Sequence, residues 1–166
     1  MMKTLILVRH AKSSWKDRSL PDRKRPLNKR GRRDAPIMGR RLVEKGVEVE
    51  LILSSPATRA FATAEVIAEE LDYPWDGIVA EERLYEADAE GMLTVIEDQD
   101  NWIDHLMVVG HNPGLTALAN LLSRSYLENV PTCGVVELAY SVDRWMEIAE
   151  ARPVQFAFDY PKRRRE

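Results

Sequence analysis

Two patterns of apolar residues alternate along most of the chain. Short continuous apolar runs predict buried strands, and apolar residues recurring every three or four positions predict amphipathic helices. The predicted strands are 4–8, 49–55 and 106–110, and the predicted helices are 32–45, 56–71, 90–99 and 112–124. Such alternation is typical of a mainly parallel sheet with helices on both faces.

The pattern changes after Pro131. The segments "GVVELAYS" (134–141) and "MEIAEA" (146–151) predict short antiparallel strands at the edge of the sheet. The expected fold class is therefore α/β, a three-layer α/β/α sandwich whose mostly parallel sheet has antiparallel edge strands. A length of 166 residues fits a single domain, which we expect to cover 1–166.

Composition narrows the class of protein. Hydrophobic residues make up 45% of the chain and charged residues 31%, which is ordinary for a soluble globular domain. Met1 to Lys3 lead directly into the first predicted strand, and the apolar runs are too short to span a bilayer. Cys133 is the single cysteine, so we expect a buried thiol and no intrachain disulfide. We expect a cytoplasmic protein without membrane attachment.

The net charge of −3 averages two segments of opposite sign. Residues 9–41 contain 13 Lys and Arg against 3 Asp and Glu, whereas residues 65–104 contain 14 Asp and Glu against Arg83. The basic segment comes with no recognised nucleic-acid-binding module, so we expect no nucleic-acid partner. The charged tail at 161–166 is interpreted as solubilising.

Polar residues follow each of the three predicted strands. They are Arg9 and His10 after the first, Ser54 and Ser55 after the second, and His111 and Asn112 after the third. The carboxyl ends of parallel strands meet at one edge of a sheet, so these side chains are expected to converge. Arg59 lies one turn into the following helix, where the helix dipole and free N–H groups favour anions.

Histidines combined with arginines favour phosphoryl transfer. Guanidinium groups bind two phosphoryl oxygens at once, and a neutral imidazole can attack phosphorus and hold it covalently. Metal sites instead combine histidines with carboxylates or thiolates, so we expect neither a metal nor another cofactor.

The motifs in this order resemble those of the histidine phosphatase superfamily, which includes phosphoglycerate mutases. The matching segments are "LVRHAKSSW" (7–15), "RPLNKRGRRDAP" (25–36), "LILSSPATRAFATAEVI" (51–67), "LYEADAEGML" (84–93) and "VVGHNPGL" (108–115). Within the superfamily the chain is most similar to the small SixA-type phosphohistidine phosphatases. The resemblance covers almost the whole chain and implies a phosphoglycerate mutase-like fold.

The resemblance also implies roles for individual residues. His10 would be the nucleophile that becomes phosphohistidine, and Arg9, Arg59 and His111 would bind the phosphoryl oxygens, with His111 as a protonated donor. The remaining candidates are Arg25, near the phosphate or substrate, Ser13 and Ser14 as hydroxyl or backbone donors, and Asn112 as a substrate-binding residue.

Some positions depart from the larger superfamily members. Ala11, Lys12 and the pair Trp15–Lys16 replace residues typical of those members, which argues against the mutase reaction and its sugar-acid substrates. Glu86 is the only counterpart of the glutamate that protonates an alkoxide leaving group in large members. A phosphorus–nitrogen substrate needs such an acid less, because a protonated imidazole already leaves readily.

Three functions remain open from the sequence. The first is a metal-independent phosphatase acting on phosphohistidine in a protein, such as a phosphocarrier or a histidine-containing phosphotransfer domain. The second is a phosphomonoesterase for a small metabolite, and the third is a non-catalytic phosphoprotein-binding module. The sequence does not specify the oligomeric state, and we take a monomer as the working expectation.

Overall fold

Strands and helices alternate along the chain as the hydrophobic pattern predicts. The computed structural model describes residues 1–163, so the end of the charged tail, 164–166, lies outside the described residues. The elements are β1 (Lys3–Arg9), α1 (Lys29–Glu44), β2 (Leu51–Ser54), α2 (Thr58–Glu70), β3 (Val79–Ala80), α3 (Ala89–Glu97), β4 (His105–Gly110), α4 (Gly114–Ser123), β5 (Val135–Tyr140) and β6 (Gln155–Asp159). Short 3-10 turns occur at Asp22–Lys24, Trp75–Gly77, Glu82–Leu84 and Trp145–Glu147.

All six strands form one sheet in the order β3-β2-β4-β1-β5-β6. The pairs β1–β4, β2–β4 and β2–β3 are parallel, whereas β5 is antiparallel to both β1 and β6. The prediction of a mostly parallel sheet with antiparallel strands at one side is confirmed. Strands β1 and β4 are continuously apolar because helices cover both faces of the sheet at its centre.

Two hydrophobic cores lie on opposite faces of the sheet. Leu5 and Leu7 of β1 pack into the core that includes residues of α3 and α4. Ile6 and Val8, which point the other way, pack into the core that includes residues of α1 and α2. This arrangement confirms the three-layer sandwich. Within residues 1–163, none of the helices combines the length and apolar character that a membrane span requires.

The predicted strand at 146–151 is wrong. This part of the chain forms a 3-10 turn and a loop, and the second antiparallel strand is β6, farther along the chain. Trp145 and Ile148 are both fully buried, and the Trp145 indole N–H donates to the Ile103 carbonyl oxygen at 3.0 Å. A three-residue spacing places two side chains on one side of a turn, so these apolar residues reach the core without forming a strand.

The start of α1 lies against the segment that follows β1. The Asn28 side chain accepts a hydrogen bond from the Gly31 N–H at 2.8 Å and caps the helix, which begins three residues before the predicted start. The Asn28 N–H in turn donates to the Lys12 carbonyl oxygen at 2.9 Å. A Cβ atom on Gly31 would lie 2.2 Å from that oxygen, so this contact requires glycine.

Candidate active site

The register of the sheet brings the three strand ends together. Arg9 lies opposite Gly110 in the β1–β4 pair, and Ser54 lies opposite Val109 in the β2–β4 pair. Backbone hydrogen bonds continue beyond the strands, because the His10 N–H donates to the Gly110 carbonyl oxygen at 3.1 Å. The residues that carry the candidate chemistry therefore follow rigid, central strands.

His10 and His111 are in close contact at this edge. Their ring centroids are 5.1 Å apart with an interplanar angle of 54°, and the two residues are 8% and 7% exposed. The convergence that the strand endings predict is confirmed. His105, the third histidine, begins β4 and lies at the opposite end of that strand.

A single hydrogen bond sets the tautomer of His10. Its Nδ1 lies 2.7 Å from the carbonyl oxygen of Ala11, and a carbonyl oxygen only accepts, so the ring hydrogen is on Nδ1. Burial lowers the pKa of His10 to about 3, opposed by the Ala11 hydrogen bond and reinforced by the nearby His111. At neutral pH the ring is uncharged, and Nε2 carries the free electron pair that a nucleophile needs.

His111 is held through its other ring nitrogen. Its Nε2 lies 2.7 Å from the Ser55 hydroxyl oxygen, while its Nδ1 is buried and has no hydrogen-bond partner among the described residues. Burial, followed by the positive charge of Arg59, lowers the pKa of His111 to about 4. Without a bound anion, desolvation thus favours the neutral ring; the expectation of a protonated His111 concerns the phosphoryl-bound site and stays a prediction.

Arg9 and Arg59 supply the positive charge beside the histidines. Arg9 Nη1 donates to the Val130 carbonyl oxygen at 3.0 Å, whereas its Nε is buried without a partner in the described chain. Arg59, only 7% exposed, donates from Nη1 to the backbone oxygen of Asp22 at 2.7 Å and from Nη2 to its Oδ2 at 3.0 Å.

Asp22 is a site residue that the sequence did not identify. Its Oδ2 also accepts a hydrogen bond from the Tyr85 hydroxyl at 2.8 Å, and its Oδ1 accepts one from Arg25 Nη1 at 3.1 Å. Burial opposes ionisation of this carboxyl, but the hydrogen bonds from Tyr85, Arg59 and Arg25 outweigh it and lower the pKa of Asp22 to about 2. Tyr85 also packs edge-on against His111, with ring centroids 5.7 Å apart.

Arg25, Ser13 and Ser14 form one cluster. Arg25 donates from Nε to the Ser14 carbonyl oxygen at 3.1 Å and from Nη2 to the Ser13 hydroxyl at 2.5 Å. Its guanidinium stacks on the ring of Trp15, which is 69% exposed, at 3.2 Å from the ring centroid. Both serines thus contact the arginine that binds Asp22.

Asn112 and Glu86 lie at the periphery of this arrangement. The Asn112 side chain accepts from both the N–H and the hydroxyl of Thr116 and donates to the Val130 carbonyl oxygen. Its amide therefore fixes the start of α4 to the loop at Val130. Glu86 is exposed and follows Tyr85 with a left-handed backbone, φ 58°.

The assembled groups suit an anion. Arg9, Arg59 and Arg25 outweigh the single carboxylate of Asp22. Arg9 Nε and His111 Nδ1 are two of the three buried side-chain nitrogens that have no partner within residues 1–163. Leaving a buried polar atom unpaired is costly, and the oxygens of a phosphoryl group are acceptors for Arg9 Nε and, when it carries a hydrogen, for His111 Nδ1.

Comparison with known proteins identifies a family and relatives of this chain. Residues 5–124 match the model of the histidine phosphatase superfamily, branch 1. An uncharacterized protein of Mycobacterium tuberculosis is 33% identical, with 93% of this chain and all of that protein aligned. An uncharacterized chloroplastic protein of Arabidopsis thaliana is 32% identical, over 86% of this chain and 69% of the plant protein.

Solved structures agree with the sequence comparison. SixA from Agrobacterium tumefaciens superposes with a TM-score of 0.79 at 27% identity, over 93% of this chain and 97% of that one. The sheet order, the histidine pair on the central strands and the family match lead to one assignment. The chain belongs to the histidine phosphatase superfamily, and its fold is of the SixA type.

Proposed function

We propose that this protein is a metal-independent phosphatase that removes the phosphoryl group from phosphohistidine in a partner protein. Membership of the superfamily supports a phosphatase with a histidine nucleophile. The observation that carries the proposal is His10: Nδ1 is fixed on the Ala11 carbonyl oxygen, and Nε2 is unprotonated beside two arginines.

The reaction has two steps in this proposal. His10 Nε2 attacks phosphorus, the phosphorus–nitrogen bond of the substrate breaks, and the departing imidazole nitrogen keeps the bonding electrons and takes a proton from solvent. Water then attacks the phosphorus on His10, giving its proton to solvent. Orthophosphate leaves, and Nε2 recovers its electron pair.

Arg9, Arg59 and His111 stabilise the phosphoryl oxygens during both steps. Arg9 Nε and, once it is protonated, His111 Nδ1 are buried nitrogens that can donate hydrogen bonds to those oxygens. A bound phosphoryl group brings negative charge next to His111, which favours the charged ring. His111 then becomes the protonated donor that the family resemblance implies.

Arginines take the role that a metal ion plays in other phosphatases. They neutralise the phosphoryl charge with oriented N–H donors in a site shielded from water. Within residues 1–163, no three His, Cys, Asp or Glu side chains are grouped so that they could hold a metal ion.

The shortage of proton donors favours phosphohistidine over phosphate esters. Asp22 has a pKa of about 2 and is ionised at neutral pH, so it has no proton to give. Glu86 is exposed and is the remaining candidate acid. An imidazole leaving group accepts its proton from solvent, whereas an alkoxide needs an acid within the site.

The partner would be a phosphocarrier or a histidine-containing phosphotransfer domain. In this proposal the enzyme acts in the cytoplasm as a monomer, with one domain over 1–166 and without binding nucleic acid or membranes. The alternatives are a phosphomonoesterase for a small metabolite and a non-catalytic phosphoprotein-binding module.

The test compares wild type, His10→Gln and His105→Gln with chelator present. The substrates are a phosphohistidine-bearing phosphocarrier and a panel of phosphate esters. We expect turnover of the phosphocarrier by wild type and by His105→Gln, no turnover by His10→Gln, and trapped label on His10 alone. Faster ester hydrolysis would support the phosphomonoesterase. Binding without turnover would support the non-catalytic module.

A further inference from the structure

We propose that Asp22, itself held by Arg25 and Tyr85, is a positioning residue that orients Arg59 toward the phosphoryl group. The proposal deepens the proposed function, because it concerns how that same anion site is built. It assigns Asp22 no contact with the substrate.

The donors that Arg59 uses carry the argument. A guanidinium presents N–H pairs along two edges, one formed by Nη1 and Nη2 and the other by Nε and Nη2. Asp22 takes one hydrogen from each of Nη1 and Nη2 through its backbone oxygen and its Oδ2. The edge formed by Nε and the second Nη2 hydrogen remains for a phosphoryl group, so Asp22 supports Arg59 without competing for it.

Arg25 and Tyr85 hold the Asp22 carboxylate in place. The three nitrogens of the Arg25 guanidinium each donate one hydrogen bond, to Asp22, to Ser13 and to the Ser14 backbone, and these bonds hold Arg25 against the Asp22 carboxylate. Tyr85 donates its hydroxyl to the same carboxylate oxygen that Arg59 binds. Arg25 therefore acts as an anchor for Asp22, while its expected place near the phosphate or substrate stays a prediction.

The direction in which tungstate affinity changes distinguishes an orienting role of Asp22 from a purely electrostatic one. Removing a carboxylate near an anion site raises anion affinity on Coulombic grounds alone. If Asp22 orients Arg59, the Asp22→Asn variant instead binds tungstate more weakly, because Arg59 loses its fixed direction. We expect tungstate affinity and kcat/KM of Asp22→Asn to fall by roughly 10- to 100-fold.

The experiment is a double-mutant cycle with Arg59→Met. Tungstate affinity is measured by calorimetry for wild type, each single variant and the double variant, alongside kcat/KM on a phosphohistidine substrate. Because Asp22 acts through Arg59, adding Asp22→Asn to Arg59→Met should cause no further loss of tungstate affinity, and the removed negative charge leaves the affinity unchanged or higher. An equal loss in both backgrounds, or tighter tungstate binding by Asp22→Asn, would overturn the proposal.

Arg23→Gln is the matched control for the 3-10 turn. Arg23 neighbours Asp22 and anchors the same turn to Glu82 through an ion pair. Its Cζ lies over the Tyr85 ring, 5.2 Å from the centroid, but Arg23 takes no part in the hydrogen bond from the Tyr85 hydroxyl to Asp22. We expect Arg23→Gln to keep tungstate affinity within about 3-fold of wild type, as for a surface ion pair. A loss equal to that of Asp22→Asn would mean that anchoring the turn, and not orienting Arg59, is what matters.

A second variant keeps the test decisive if Asp22→Asn does not fold. Tyr85→Phe removes only the hydroxyl donor to Asp22, and we expect it to weaken tungstate binding by about 2- to 5-fold, an effect that Arg59→Met abolishes. If Tyr85→Phe still weakens tungstate binding in the Arg59→Met background, the proposal is contradicted. The cycle also distinguishes the failure of this proposal from the failure of the proposed function. If wild type does not hydrolyse phosphohistidine but Asp22 and Arg59 still show the expected coupling in tungstate binding, only the proposed function is refuted.

Discussion

His10 and His111 show how burial sets the charge of single residues in this site. Both rings are neutral at physiological pH, so the positive charge comes from arginines, which keep their protons even when desolvated. A neutral His10 is ready to attack without a separate base. A neutral His111 binds an anion less well than a protonated ring does. We therefore expect His111 to take up a proton when an anion binds.

The first prediction concerns the protonation of His111. Without ligand its ring should titrate near pH 4, whereas saturating tungstate should raise its pKa above about 6.5, because a bound dianion stabilises the charged form. Carbon-bound ring protons followed by NMR across pH report the change, and His10→Gln assigns the resonances. A ring that stays neutral at pH 6 with tungstate bound would contradict this account.

A second prediction concerns Glu86. On a phosphohistidine substrate Glu86→Gln should lose little activity, less than the roughly 10²- to 10⁴-fold typical of a lost general acid. On a phosphate ester the same substitution should cost that full factor if Glu86 protonates the alkoxide. Steady-state kinetics on both substrates test this, with the exposed Glu90→Gln as control. A large loss on phosphohistidine would refute the acid-poor mechanism.

The sequence predicts some site residues and misses others for a physical reason. Arg9, His10 and His111 follow predicted buried strands, so the pattern of apolar residues is enough to place them at the carboxyl edge of the sheet. Asp22 begins one 3-10 turn and Tyr85 directly follows another, and their contact joins residues 63 positions apart. No local pattern encodes such a contact, since it depends on how two irregular segments pack over the sheet.

At the scale of elements, the contact between α1 and the segment after β1 yields a third prediction. Gly31→Ala should lower the free energy of unfolding by about 1–3 kcal/mol, because its Cβ would meet the Lys12 carbonyl oxygen at 2.2 Å and backbone must shift. The same shift should reduce activity, because Lys12 follows the nucleophile closely.

Gly39→Ala in the same helix is the control. Its Cβ would meet the Glu70 Cβ and Cγ at 2.9 Å and the Ile67 Cα at 3.4 Å, so α1 and α2 must separate slightly. No backbone oxygen is as close as in Gly31→Ala, however, and alanine gains up to about 1 kcal/mol in helix propensity. We expect this variant to lose less stability than Gly31→Ala and to keep full activity. Urea denaturation measures the free energy of unfolding of both variants. Equal losses would show that the contact with the Lys12 carbonyl oxygen does not determine the effect of Gly31→Ala.

The elements that the sequence predicts best are those with the strongest local pattern. The central strands and the four long helices occur where expected, with ends shifted by a few residues. Strand β3 has two residues, Val79 and Ala80, which are too few to show any period. Strand β6 was missed because its residues alternate weakly at the edge of the sheet, while Trp145 and Ile148 gave a stronger apolar signal nearby.

For the whole molecule, the two buried histidines make stability depend on pH. Each has a pKa of about 3 or 4 in the folded protein against about 6.5 unfolded, so the unfolded chain binds more protons between these values. The free energy of unfolding should therefore fall as pH decreases from about 6.5 toward 4, by up to about 1.4 kcal/mol per pH unit for each histidine. Asp22 contributes in the same direction only below about pH 4.

Urea denaturation at several pH values between 7 and 4.5 measures this slope. In His10→Gln the slope should be about half that of wild type, because one of the two groups is gone. An identical slope in the variant would mean that His10 is not the buried, neutral base described above.

The strand order also dictates when the site can exist during folding. Strands β1 and β2 carry Arg9–His10 and the segment leading to Arg59, yet they do not pair with each other: β4 lies between them. Without residues 105–110, no strand joins β1 to β2, so the two halves of the site cannot be held side by side. When β4 inserts, it joins both halves and delivers His111 in one event. Catalytic competence should accordingly emerge abruptly with the completed sheet, which makes activity a sensitive reporter of folding.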